Sequence, residues 1–168
     1  YYFLFYFVHY SLLISIFAIG ITMPGCTASA GDEAPEINAK KWLNTDTFSL
    51  AENNDKVVIV EFWATWCPPC RASIPHLKAL HETYKDKGII LVSLTNEPDS
   101  PKITKFCSDA GMNCIVGLGS TSGSSYGVTG IPHAFIVVNG KIAWKGHPMA
   151  GLDEEVKKIV DSRPVKAE

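Results

Sequence analysis

Eight consecutive residues, Val57 to Ala64 (VVIVEFWA), are apolar at every position but Glu61. A run without polar alternation reads as a strand buried on both faces, at the centre of a sheet covered by other layers. Two residues later comes Cys67-Pro68-Pro69-Cys70, and after it Ile74, Leu77, Leu80 and Tyr84 recur at helical spacing. The chain therefore predicts a central strand feeding a helix whose first turn carries two cysteines. Gly88 ends that helix, and Pro75 inside it predicts a kink.

The rest of the chain repeats the alternation. Ile89 to Leu94 is a second apolar strand. Ser100-Pro101 has the character of an N-cap followed by a first helical turn. Ile103, Phe106, Cys107 and Ala110 then mark one apolar helix face. Cys114 to Leu118 reads as a short strand, and Gly117 to Gly130 as a Gly/Ser-rich loop with one helical turn near Ser124. Asn139-Gly140 joins two strands, Ala134–Val138 and Lys141–Lys145, in a two-residue hairpin. Leu152, Val156, Ile159 and Val160 form a closing amphipathic helix. The acidic run Asp153-Glu154-Glu155 fits its first turn, where the helix dipole favours negative charge. Residues 42–50 add an early edge strand. The order β-β-α-β-α-β-loop-β-β-α specifies an α/β domain with a mixed central sheet flanked by helices.

Charge placement divides the chain further. No Asp, Glu, Lys or Arg precedes Asp32, so all fifteen basic and seventeen acidic residues follow. Residues 1–22 are almost wholly apolar, and about 20 such residues span a bilayer core as a helix. Residues 1–25 are accordingly expected to be a signal peptide or membrane anchor, residues 26–33 a tether, and residues 34–168 the folded domain. The run begins at Tyr1 with no basic residue ahead of it, so the native start is expected upstream. Met23-Pro24-Gly25-Cys26 is reminiscent of a lipoprotein processing site, which leaves lipidation at Cys26, an uncleaved anchor and plain cleavage open. A net charge of −2 and the lack of a basic patch argue against nucleic-acid binding.

The chemistry centres on the cysteine pair. A thiol at a helix N-terminus faces unpaired backbone N–H groups and the positive dipole end, which favour thiolate. A second cysteine one turn on is close enough to close a disulfide with the first. The first can attack a substrate disulfide and the second can resolve the mixed disulfide. A zinc site would need a second ligand pair, and Cys107, Cys114, His76 and His133 form no familiar set. Pro69 removes one of the N–H groups that would stabilise a capping Cys67 thiolate and leaves that of Cys70. This predicts a reducing or middling couple rather than a strongly oxidising one.

The segments EFWATWCPPCRASIP and GVTGIPHAFIVVNGKIAWKGHP resemble the two signatures of thioredoxin-like proteins, especially the membrane-tethered TlpA/ResA type of thiol–disulfide oxidoreductase. The resemblance covers residues 34 to 162. It implies a thioredoxin fold, Cys67 as nucleophile, Cys70 as resolving thiol and Pro132 as a cis-proline facing them. It also implies that Trp66, Pro68, the Ile131 backbone and His133 contact the client, with Trp63 flanking the site. The function it implies is reduction of disulfides in client proteins outside the cytoplasm, with a membrane or extracytoplasmic thiol donor and no bound cofactor or metal. The location would be the periplasm or outer membrane face, anchored or lipidated, or secreted if residues 1–25 are simply removed.

Departures from the family pattern carry information. Ser73 stands where many members have Glu. Glu61 instead occupies the strand position where thioredoxins place a buried acid, and burial would raise its pKa to suit a proton acceptor for Cys70; an ion-paired, partly exposed residue is the alternative. His133, where Thr is more familiar, either tunes the sulfurs or caps the loop. His76 reads as a surface or packing residue. Cys107 and Cys114 are either small buried hydrophobes or a second disulfide. A thiol peroxidase would need Pro and Thr where Val60 and Ala64 stand, and a copper chaperone would need a C-x3-C spacing.

Overall fold

The computed structural model describes residues 28–163. Cys26 and the apolar segment 1–25 lie outside the described residues. No helix among the described residues is long and apolar enough to cross a membrane.

Six strands form one sheet: β1 (Lys41–Leu43), β2 (Val57–Phe62), β3 (Ile89–Leu94), β4 (Ile115–Leu118), β5 (His133–Val138) and β6 (Lys141–Gly146). Their order across the sheet is β1-β4-β3-β2-β5-β6. The apolar run at β2 lies at the centre, parallel to β3 and antiparallel to β5, and all six of its residues are buried. β4 is parallel to β3, while β1 and β6 run antiparallel on the two edges. The sheet is therefore mixed, as expected.

The two faces of β2 feed two separate cores. Val57, Ile59 and Trp63 pack with Ile74, Leu77 and Leu80 of α1 (Pro68–Tyr84), Ile103 of α2 (Pro101–Asp109) and Val156 of α4 (Leu152–Ser162). Val58, Val60 and Phe62 pack on the other face with Phe48, Leu50, Tyr126 and Phe135. Phe62, Tyr126 and Phe135 make mutual ring contacts at 4.8–5.9 Å between centroids. This second face is covered by the chain before β2 and by the short α3 (Ser122–Ser125), tied down by a Tyr126 hydroxyl that donates to Pro35 O at 2.7 Å.

The punctuation follows the residue chemistry. Ser100 caps α2, its Oγ accepting from Ile103 N, with Pro101 in the first turn. Asn139 and Gly140 both have positive φ, 50° and 74°, as a two-residue hairpin of matching twist requires. Helix α1 runs unbroken through Pro75 and gives way to a short 3-10 turn before Gly88, whose φ of 77° turns the chain into β3.

Two expectations differ in extent. The edge strand expected over 42–50 stops at Leu43, because Asn44 takes a φ of 67° and its Nδ2 donates to Met112 O and Cys114 O. The chain then folds Phe48 and Leu50 onto the sheet. Residues 28–33, read as a tether from their small polar composition, run beside β6. Gly31 N donates to Ile142 O, Ile142 N to Asp32 O, and Lys145 Nζ to Ala28 O, all within 2.9 Å.

Candidate functional site

The site lies where β2 ends and α1 begins. Cys67 is the N-cap of α1, extended at φ −91° and ψ 104°, and Pro68 and Pro69 fill the first two helical positions. Proline suits that place, since its missing N–H would be unpaired there. The first helical N–H that remains is that of Cys70, and it donates to Cys67 Sγ at 3.2 Å. The two sulfurs form a disulfide, with Cα atoms 5.3 Å apart. Both cysteines are buried among the α1-side core, whereas the neighbouring Trp66 is 67% exposed.

The turn before β5 closes over the sulfurs. The Ile131–Pro132 peptide is cis, and Ile131 O lies 3.8 Å from Cys67 Sγ. Ile131 is half-buried and Pro132 buried. Beside the disulfide opens a groove of about 470 Å³, lined among others by Trp66, Thr95, Asn96, Thr121, Val128 and Ile131. Trp63, by contrast, is buried and stacks on Phe106 at 5.7 Å. His133 is half-buried with its ring 5.0 Å from Phe135; burial lowers its pKa, and Lys145 and His147 lower it further.

Glu61 is 2% exposed, on the β2 face turned toward α1. It stands in register with Ser93 on one side and Ala134 on the other. Burial pushes its pKa up to about 8, and a hydrogen bond from Ser93 offsets part of that rise. Its Oε1 has no hydrogen-bond partner. The residue is thus a desolvated acid, and the exposed, ion-paired alternative is excluded by its burial. Ser73, the departure noted in the sequence, is fully buried and its Oγ donates to Cys70 O at 2.8 Å.

Cys107 and Cys114 are free buried thiols, so the second disulfide left open by the sequence does not form. Burial raises both to about 11. His76 is half-buried on α1, its Nε2 3.2 Å from Asp153 Oδ2 of α4. Among the described residues, no three His, Cys, Asp or Glu gather in a way that could hold a metal ion.

Sequence reasoning missed Glu97. Its carboxylate accepts from Thr65 N at 2.6 Å and Thr65 Oγ1 at 2.7 Å, fixing the loop that delivers Cys67 to the helix start. Its place just past β3, at the sheet end where the cysteines sit, was the available signal.

The profile of the Redoxin family matches residues 16–159. The chain is 32% identical over 82 residues to the thiol-disulfide oxidoreductase ResA of Oceanobacillus iheyensis, covering 47% of this chain and 43% of the relative. It is 29% identical over 109 residues to the ResA of Bacillus thuringiensis, covering 64% and 62%. The chain thus spans less than two thirds of the length of these relatives. A solution structure of a thiol:disulfide interchange protein from Bacteroides sp. superposes with a TM-score of 0.69 at 26% identity, over 84% of this chain and 95% of that one.

Proposed function

Because the chain belongs to the Redoxin family, we propose that it is a thiol–disulfide oxidoreductase that reduces disulfides of client proteins outside the cytoplasm. The observation that carries this reading is the Cys67–Cys70 disulfide at the first turn of α1, faced by the cis Ile131–Pro132 peptide. In the reduced protein the Cys67 thiolate, held by Cys70 N–H, attacks one sulfur of a client disulfide. That S–S bond breaks, a mixed disulfide forms at Cys67, and the first client thiolate leaves. Cys70 then loses its proton to the Glu61 carboxylate and attacks Cys67 Sγ, releasing the second client thiolate. Two electrons pass from the dithiol to the client, and the protein is left with the Cys67–Cys70 bond. An extracytoplasmic thiol donor would reverse that bond for the next turnover.

Ile131 offers backbone to an extended client segment, with Trp66, Pro68 and His133 around it. A reductase role is supported by Pro69, which leaves Cys70 N–H as the backbone donor at Cys67 Sγ. An extracytoplasmic, membrane-linked location is supported by the charge-free residues 1–31. The test is trapping. Cys70→Ser, mixed with a peptide holding one disulfide, should accumulate a stable adduct mapped by mass to Cys67, and Cys67→Ser should form none. Equal adduct on Cys70 in Cys67→Ser would reverse the assignment of nucleophile and resolving thiol.

A further inference from the structure

Residues 28–34 lie along the free edge of β6, and their contacts run in one direction. Ala34 N donates to Gly140 O at the hairpin turn, and Glu33 bridges to Lys141. Gly31 N then donates to Ile142 O and Ile142 N to Asp32 O, and Ala28 O accepts from Lys145 Nζ. Followed backwards from Ala34, the chain thus climbs β6 from its first residue almost to its last. The strap is fixed as it climbs. Asp32 N donates to Ser29 O and Ser29 N to Asp32 Oδ2, closing a turn that holds Gly31 at a φ of 94°. Ala28 is 7% exposed and packs into the core on the α3 side of the sheet.

The end of β6 reached in this way is the end that carries the disulfide. Gly146 pairs with Ala134, and the preceding His133 pairs with Phe62, the last residue of β2. His133 also follows the cis Ile131–Pro132 peptide that faces Cys67. Among the described residues, the large apolar side chains left exposed are Trp66 and Met149, at 67% and 54%. Both stand at this end: Trp66 precedes Cys67, and Met149 lies just past the last residue of β6. An indole with one apolar and one polar edge suits the boundary between lipid and water.

We propose that the strap turns the redox end of the domain toward a lipid bilayer, with Trp66 and Met149 nearest its surface. This rests on the membrane-linked location read from the charge-free residues 1–31. Six residues separate Thr22, where the apolar run ends, from Ala28, a reach of at most about 20 Å. With so short a tether, the end of the sheet nearest Ala28 stays nearest the lipid. The disulfide is thereby aimed at partner sulfurs held close to the membrane surface rather than at those of freely diffusing proteins.

The test measures which end faces the lipid. The oxidised full chain, with Cys26→Ser, is placed in phosphatidylcholine vesicles whose headgroups carry a nitroxide quencher. A thiol-linked fluorophore is introduced through Met149→Cys or, at the opposite end, through Asp86→Cys, an exposed position between α1 and β3. The two ends are about 20 Å apart, the length of a six-residue strand. Most of the fluorescence at position 149 should be lost and little of that at position 86. Gly31→Pro cannot keep the positive φ and loses the N–H donated to Ile142 O; it should bring the two values together, as should the milder Lys145→Met. Equal quenching at both positions in the parent chain, or more at 86, overturns the proposal, and so does a contrast that survives both strap variants. A chain that does not float with the vesicles overturns it through the membrane-linked reading. Adduct trapping at Cys67, done without vesicles, tests the thiol–disulfide reading separately.

Discussion

Replacing Glu61 with Gln should stabilise the protein, and by an amount that grows with pH. The folded state holds Glu61 at about 8, against an ordinary 4.5, chiefly because ionising it means charging a buried site. That is a shift of about 3.5 units at about 1.4 kcal/mol each, or about 5 kcal/mol when fully expressed. The sign follows from proton counting. Between pH 4.5 and 8 the unfolded chain has released the proton and the folded one keeps it, so stability falls as pH rises across that window. The Gln side chain has nearly the same shape and does not titrate. The advantage of Glu61→Gln should therefore be about 1 kcal/mol at pH 5, about 3 at pH 7 and about 5 at pH 9. Urea unfolding of the two oxidised proteins at these values measures the gap from the midpoints at constant slope. A gap that is the same at pH 5 and pH 9 would refute the claim that Glu61 is buried and proton-retaining. The same variant should lose speed in the resolution step, since an amide cannot accept the Cys70 proton.

Glu97→Ala should destabilise the protein by about 1.5–3 kcal/mol, because Thr65 N–H and Oγ1 lose a charged acceptor. It should also slow disulfide exchange, measured as the rate of peptide disulfide reduction, with Cys67 less firmly placed. Cys107 and Cys114 should resist alkylation in the native reduced protein at pH 8 while Cys67 reacts; peptide mass mapping reads each site. Their raised pKa, against a Cys67 sulfur that accepts from Cys70 N–H, sets that order, and labelling at equal rates would contradict it.

What the sequence made legible was local. The apolar run at β2, the helical spacing after Cys70, the Ser100-Pro101 start and the Asn139-Gly140 turn each carry their own chemistry, and each element formed where its residues placed it. The cysteine pair and the proline facing it were readable from two motifs. What escaped reading depends on partners far along the chain. The early strand stops at Asn44 because its side chain bonds carbonyls 68 and 70 residues away. Residues 28–33 look like a tether by composition, yet their backbone pairs with a strand more than a hundred residues later. Glu97 acts on Thr65 across 32 residues. The fate of Cys107 and Cys114 was likewise a question of geometry, settled only by where α2 and β4 bring the two thiols.

Cys67 and Cys70 are expected to form a reversible two-electron couple of reducing or middling potential. Equilibration in defined thiol–disulfide buffers, with the two cysteines followed by mass after alkylation, measures it directly. The expected couple lies at about −200 to −270 mV, in the glutaredoxin-to-thioredoxin range. A couple near about −120 mV would keep the exchange chemistry but make the protein an oxidant, and no reversible couple would contradict the account altogether.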